Sequence, residues 1–286
     1  MAAPPAAPGA PPAPGTPPAG SPGPGLLSRG VRHPALSAAA GLAGLVAVWW
    51  LLAVTVFAGR LVPTPPGVVG GAVRDGWSFY ATNLTATVAE AVRGFAWGTG
   101  LALLLASLVL LAPRLERVIM QVAVLSYCIP LVAITPILYI VIGPPRSGEP
   151  SGTAVALAAI SVFFTTVVGA VLGFRSAEPR SLDVVSVFGG GRWQQLWRVQ
   201  LVSALPSVLT SLAIAAPAAF LGAVLGEYIG GVDRGVGPAL VNAQQSLDDE
   251  RAWGLMIASG LVAGAGYALF AALARLVAPW ARGTAR

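Results

Sequence analysis

An all-α polytopic integral membrane protein with six transmembrane helices is the fold class predicted by three observations. The 286-residue chain is 56% hydrophobic and only 10% charged, too poor in charge to cover its own surface in water. Six apolar runs, 36–58, 83–112, 118–142, 153–174, 205–229 and 252–277, lie near or above the roughly 20 residues that cross a bilayer as helix. The loops between them divide the arginines unequally.

The first 25 residues are almost wholly Ala, Pro and Gly, a composition that neither buries a core nor propagates a helix. Residues 1–29 are therefore expected to be a disordered cytosolic tail, and 30–286 the transmembrane domain. The tail is not a secretory signal, because Arg29, Arg32 and His33 are followed by an apolar run of spanning length. The second and sixth runs exceed a bilayer's need, so their excess is expected to project as water-exposed helix or to tilt. Pro130, Pro136 and Pro217 interrupt the helical ladder, either as bends that movement uses or as fixed kinks. The rows Gly222, Gly226, Gly230 and Gly260, Gly264 permit close helix approach.

Orientation follows from arginine placement. One side carries eleven arginines and three acids, net +8, and the other five arginines and six acids, net −1. The more positive side holds both termini and the connection after the fourth run, so all three are expected in the cytosol. On the other side, the connections 59–82 and 230–251 exceed a turn. The second holds an acidic, helix-like patch, which suits either an external partner or a solvated surface.

The fourth connection carries the most information. Residues 181–206 read SLDVVSVFGGGRWQQLWRVQLVSALP, far more than an ordinary link requires. Ser181 is a candidate N-cap with Asp183 in the first turn. Gly189, Gly190 and Gly191 can end that helix and redirect the chain. Trp193, Leu196, Trp197 and Leu201 then fall on one face of a second helix, as at a lipid boundary. The first helix offers a compact apolar face of Val184, Val185, Val187 and Phe188.

These residues resemble the permease subunits of binding-protein-dependent ABC importers, in particular the nitrate, sulfonate and taurine group. That family's cytosolic loop carries Glu-Ala-Ala, three residues and Gly, with an Ile-x-Leu-Pro ending. Asp183, Val184, Val185, Gly189, Val199 and Leu201 occupy those positions, with Val202 where proline is usual. Gly94-Phe95, Ile129-Pro130, the run from Gly226 to Gly230 and the run from Asn242 to Gln245 also look like family features, so the resemblance covers about 82–280. Glu90 stands where the family usually has Arg. The resemblance implies a coupling loop at 175–204, in which Asp183, Val184, Val185, Phe188, Gly189, Gly190, Gly191, Arg192 and Trp193 engage an ATPase. It further implies two ATPase subunits, a second permease subunit, identical or paralogous, and an extracytoplasmic substrate-binding protein. The implied function is ATP-driven import of a small anionic solute across the cell membrane.

No Lys occurs, so the chain has no Walker loop of the GxxxxGK type. ATP and Mg are thus expected on a partner, with no cofactor bound by this chain and no catalysis by it. One Cys and one His exclude disulfide frameworks and zinc sites with three or four Cys/His ligands; Cys128 is read as inert packing. The arginines form no run with interleaved aromatics, so nucleic acid is excluded as a partner. Within the bilayer, Glu90 and Arg93 share a helix face and either pair structurally or line a substrate path. Glu227 either closes an outer gate or snorkels to the interface. Two other classes remain open: a gradient-driven secondary transporter, which needs repeat-related broken helices, and a scaffold recruiting a cytosolic protein. A co-purifying P-loop ATPase separates the importer from both.

Overall fold

The computed structural model describes residues 34–57, 62–146 and 148–280, so the expected disordered tail lies outside the described residues. The chain divides into two units, Met1–Leu51 and Leu52–Arg286. Helix α1 (Pro34–Thr55) supplies the described part of the first. The second is built from helices throughout its described residues: α2 (Pro65–Leu111), α3 (Glu116–Cys128), α4 (Leu131–Ile142), α5 (Gly152–Arg175), α6 (Pro179–Val187), α7 (Arg192–Gln195), α8 (Leu201–Ile229), α9 (Val236–Gln245) and α10 (Asp249–Val277). Among the described residues five helices are long and apolar enough to cross a membrane, and the bent α3–α4 pair makes a sixth if it is one broken span.

Two spans differ from expectation for local reasons. The second begins well inside what reads as a loop, because Pro65 and Pro66 occupy the first helical positions and the Thr64 hydroxyl accepts from Gly67 N–H at 3.3 Å. Proline fixes the helical φ and loses no hydrogen bond there. Gly76, at φ 76° and ψ 163°, then kinks α2. The third span is broken at Ile129-Pro130, where α3 and α4 meet at 95°. Ile129 is extended (ψ 121°), as sterics require before proline. By contrast, α8 runs as one element through Pro206 and Pro217. Cys128, expected inside the packing, is exposed at the end of α3.

The core is α5 held between α2 and α8. Ala154, Leu157, Ala158, Val162, Val167 and Ala170 of α5 have no accessible surface. Glycines set the separation. A Cβ on Gly94 or Gly98 of α2 would collide with Ala158 or Ala159 of α5. One on Gly222 or Gly226 of α8 would collide with Ser161 or Ala154 of the same helix. Such contacts replace the hydrophobic effect, which lipid tails do not supply between helices. Only the first predicted glycine row serves this purpose: Gly260 and Gly264 of α10 face open space.

Gly226→Val therefore has no room without separating α5 from α8, and overpacking of this kind costs about 1–3 kcal/mol. The detergent-solubilised variant is expected to melt several degrees below the parent, whereas Gly264→Val is expected to melt with it; equal melting of both would contradict the assigned contact.

Candidate functional site

Polar groups gather at two opposite places along α8: the insert that precedes it and the turn that follows it. At the insert, α6 starts at Pro179, with Glu178 as its cap residue making no side-chain cap bond. Ser181 is thus two residues inside the helix rather than its N-cap, because Pro179 is better suited to the first position. Phe188 closes α6, and Gly189 adopts φ 79°, a left-handed conformation that glycine takes without Cβ strain. Gly190 N–H reaches back to the Val185 carbonyl at 2.8 Å, and a Cβ on Gly190 would strike Val185. Val185 is consequently half-buried against the turn. Val184, Val187 and Phe188 form the exposed part of the expected apolar face, at 54%, 84% and 86% exposure.

The predicted second helix is not separate. Four residues of α7 pass through a single π turn, Leu196–Gln200, directly into α8. Gln195 holds the two limbs together, its Nε2 donating to the Leu182 carbonyl (3.0 Å) and to Ser186 Oγ (2.8 Å). Trp193 and Trp197 meet edge to face at 5.7 Å and remain exposed. Asp183, Gly191 and Arg192 are exposed as well. Nearby, Arg175 at the end of α5 pairs with Glu116 at the start of α3.

At the other end of α8, Glu227 is 1% exposed and does not snorkel. Its Oε2 accepts from Gly237 N–H at 2.7 Å in the first turn of α9. Asn83 Oδ1 and Thr87 Oγ1, both on α2, accept from Gly235 N–H (3.1 Å) and Val236 N–H (2.9 Å). Three side chains from two helices thus satisfy the N–H groups that a helix start leaves without partners. Gly235, at φ 141°, and Gly237 are required, since a Cβ on either would strike Glu227.

Glu90 performs the same service for α5: its Oε1 accepts from Ser151 N–H at 2.6 Å, and Ser151 Oγ accepts from Ala154 N–H at 3.2 Å. Glu90 is 3% exposed, while Arg93 is exposed and no ion pair joins them. The face they share by spacing is split by depth, because Glu90 turns toward the helix starts and not along its own helix.

An unpredicted ion-pair cluster ties α2 to α10. Arg251 binds Asp75 through two bonds, Nε to Oδ2 at 2.9 Å and Nη2 to Oδ1 at 2.6 Å, with its guanidinium 5.3 Å from the centre of the Phe79 ring. Arg74 binds Asp248 at 3.1 Å and Glu250 at 3.2 Å. Asp248 and Glu250 of the acidic patch are therefore paired internally. Asp75 and Arg251 stand 176 residues apart, beyond any local pattern.

Residues 98–283 match the family described as binding-protein-dependent transport system inner membrane component. The chain belongs to this family. Its members are permease components of transporters and not themselves enzymes. The permease is similar to the formylaminopyrimidine transport permease protein ThiX of Halalkalibacterium halodurans, 28% identical over 82% of this chain and 92% of the relative. It is also similar to the riboflavin transport system permease protein RibX of Chloroflexus aurantiacus, 28% identical over 82% and 87%. A third relative, the putative aliphatic sulfonates transport permease protein SsuC of Bacillus subtilis, is 25% identical over 70% and 71%.

In this permease Asp75 is almost fully buried, so Arg251→Ala leaves its carboxylate without the bidentate cation, a change that costs about 3 kcal/mol. Arg74, more than half exposed, is expected to matter far less. Melting curves of R251A and R74A check this order, and a larger loss in R74A would reverse it.

Proposed function

We propose that this permease, paired with a second identical or paralogous subunit, forms the path of an ATP-driven importer, and that α6 is the element through which an ATPase acts on it. The observation that carries this reading is the exposed apolar tip of Val184, Val187 and Phe188 on a helix with no buried residue. A nine-residue helix whose apolar side chains face outward needs a groove to receive them. Arg192 and Trp193 flank the same tip. The arginine count supports a cytosolic insert and cytosolic termini, in the compartment where ATP and Mg would bind the partner subunits.

Outside, a substrate-binding protein delivers the solute, as the family description supports. The relatives are named for formylaminopyrimidine, riboflavin and aliphatic sulfonates. Among such solutes we favour a small one with an anionic group, of the sulfonate, nitrate or taurine type, because Arg93 presents an exposed cation on α2. Glu90 and Glu227, both buried, serve the path by fixing its outer helices.

Two experiments test this reading. Val187→Asp with Phe188→Ala removes only exposed groups, so the melting temperature is expected to stay unchanged. ATPase retention in a detergent pull-down is expected to fall roughly tenfold or more, as when central contacts of an interface are lost; undiminished retention would sink the docking role. For the solute, Arg93→Gln is expected to reduce uptake of an anionic substrate at normal ATPase binding, and unchanged uptake would remove the anionic assignment.

A further inference from the structure

A cavity of about 1130 Å³ opens beside α3, at the end of the bundle that carries the insert. One face of α3 forms most of its wall. Ile119 and Ala123 are buried in the core, which turns Arg117, Gln121 and Leu125, spaced at i, i+4 and i+8, toward the cavity. Arg114, in the short 3₁₀ turn that leads into α3, lies on the same side with Val118 and Val124.

The wall changes character along its length. Arg114 and Arg117 stand at the insert end, beside Arg175, which closes the 24-residue span α5 and so marks the edge of the bilayer. Leu125 lies about 12 Å further along the helix from Arg117, and over that distance the lining turns apolar. Val118, Val124 and Leu125 are all exposed there, at 56%, 45% and 65%. Three arginines against one carboxylate leave the lining net positive by two. That carboxylate, Glu116, is bound to Arg175, whereas among the described residues no ion pair engages Arg114 or Arg117.

We propose that this cavity binds one anionic phospholipid, its phosphate held by Arg114 and Arg117 and its acyl chains laid along Val118, Val124 and Leu125. Guanidinium groups present paired N–H donors that match phosphate oxygens, and basic pockets beside spanning helices collect lipid headgroups for this reason. Size and polarity favour a lipid over a free anion. The cavity is larger than the roughly 300–1,000 Å³ of sites that enclose drug-sized ligands, and a bare phosphate would satisfy the arginines while leaving the apolar wall uncovered. A neutral lipid would cover that wall and leave two cations unmatched, so the headgroup must carry the charge.

The test uses the full-length permease, delipidated in neutral detergent, mixed with phosphatidylglycerol or phosphatidylcholine and followed by native mass spectrometry and thermal melting. One phosphatidylglycerol per chain is expected to stay bound under conditions that strip phosphatidylcholine, and to raise the melting temperature. In R114Q with R117Q its apparent affinity is expected to fall about thirtyfold, as when two cations near a headgroup are lost. R180Q with R198Q removes the same charge from the insert and is expected to leave that affinity unchanged. All four arginines are exposed, so without added lipid both double variants are expected to melt with the parent. Leu125→Asn is expected to weaken phosphatidylglycerol binding with every arginine in place. Equal loss in the two double variants would reduce the attraction to general charge and overturn the proposal. So would inorganic phosphate that stabilises as much as the lipid at matched ionic strength, which would assign the site to a free anion. Loss of chain association in R114Q with R117Q, at an unchanged lipid count, would make the cavity a subunit contact and overturn it as well.

Discussion

The rest of this permease depends on how closely the backbones of α2 and α8 approach α5. Gly94 and Gly98 from one side, and Gly222 and Gly226 from the other, lie against alanine and serine positions of α5 where even a methyl group would not fit. This proximity, achieved without large apolar side chains, is the kind of packing that works where lipid supplies no hydrophobic drive. It also lets Glu90, midway along α2, reach Ser151 at the start of α5, while Glu227 near the end of α8 reaches the start of α9.

The two ends of the bundle use polar groups differently. Around α9, a buried carboxylate, an amide and a hydroxyl are spent on the N–H groups of the helix start, and ion pairs clamp α2 to α10. At the insert the polar bonds are internal to the α6–α7 turn, and its apolar side chains face outward. One end is closed on itself, and the other is unfinished without a partner.

Much of the architecture was legible in the sequence because lipid demands uninterrupted apolar runs, and those runs have unmistakable lengths. The family was legible in the insert, where Asp183 through Gly189 keep the spacing of a known motif. The start of α2 was not: a Pro-rich lead into Gly-Val-Val-Gly-Gly reads as a loop, and only the Thr64 cap and the fit of proline to a first turn make it helical. The break at Pro130 was visible as a position, but its 95° angle was not. Glu90 and Arg93 suggested a local pair, whereas Glu90 turns to Ser151, 61 residues away. Likewise Asp75 and Arg251 met through tertiary packing that no short-range pattern encodes.

The π turn at Leu196–Gln200 has a mechanical meaning. By joining α7 to α8 without a loop, it makes Arg192–Ile229 a continuous 38-residue helical stretch, about 57 Å long at the helical rise. A tilt of only about 5° imposed at Trp193 moves the far tip, where Glu227 holds the start of α9, by roughly 5 Å over that length. Leverage of this kind carries a small shift on one face of the membrane to the opposite face with no intermediate messenger.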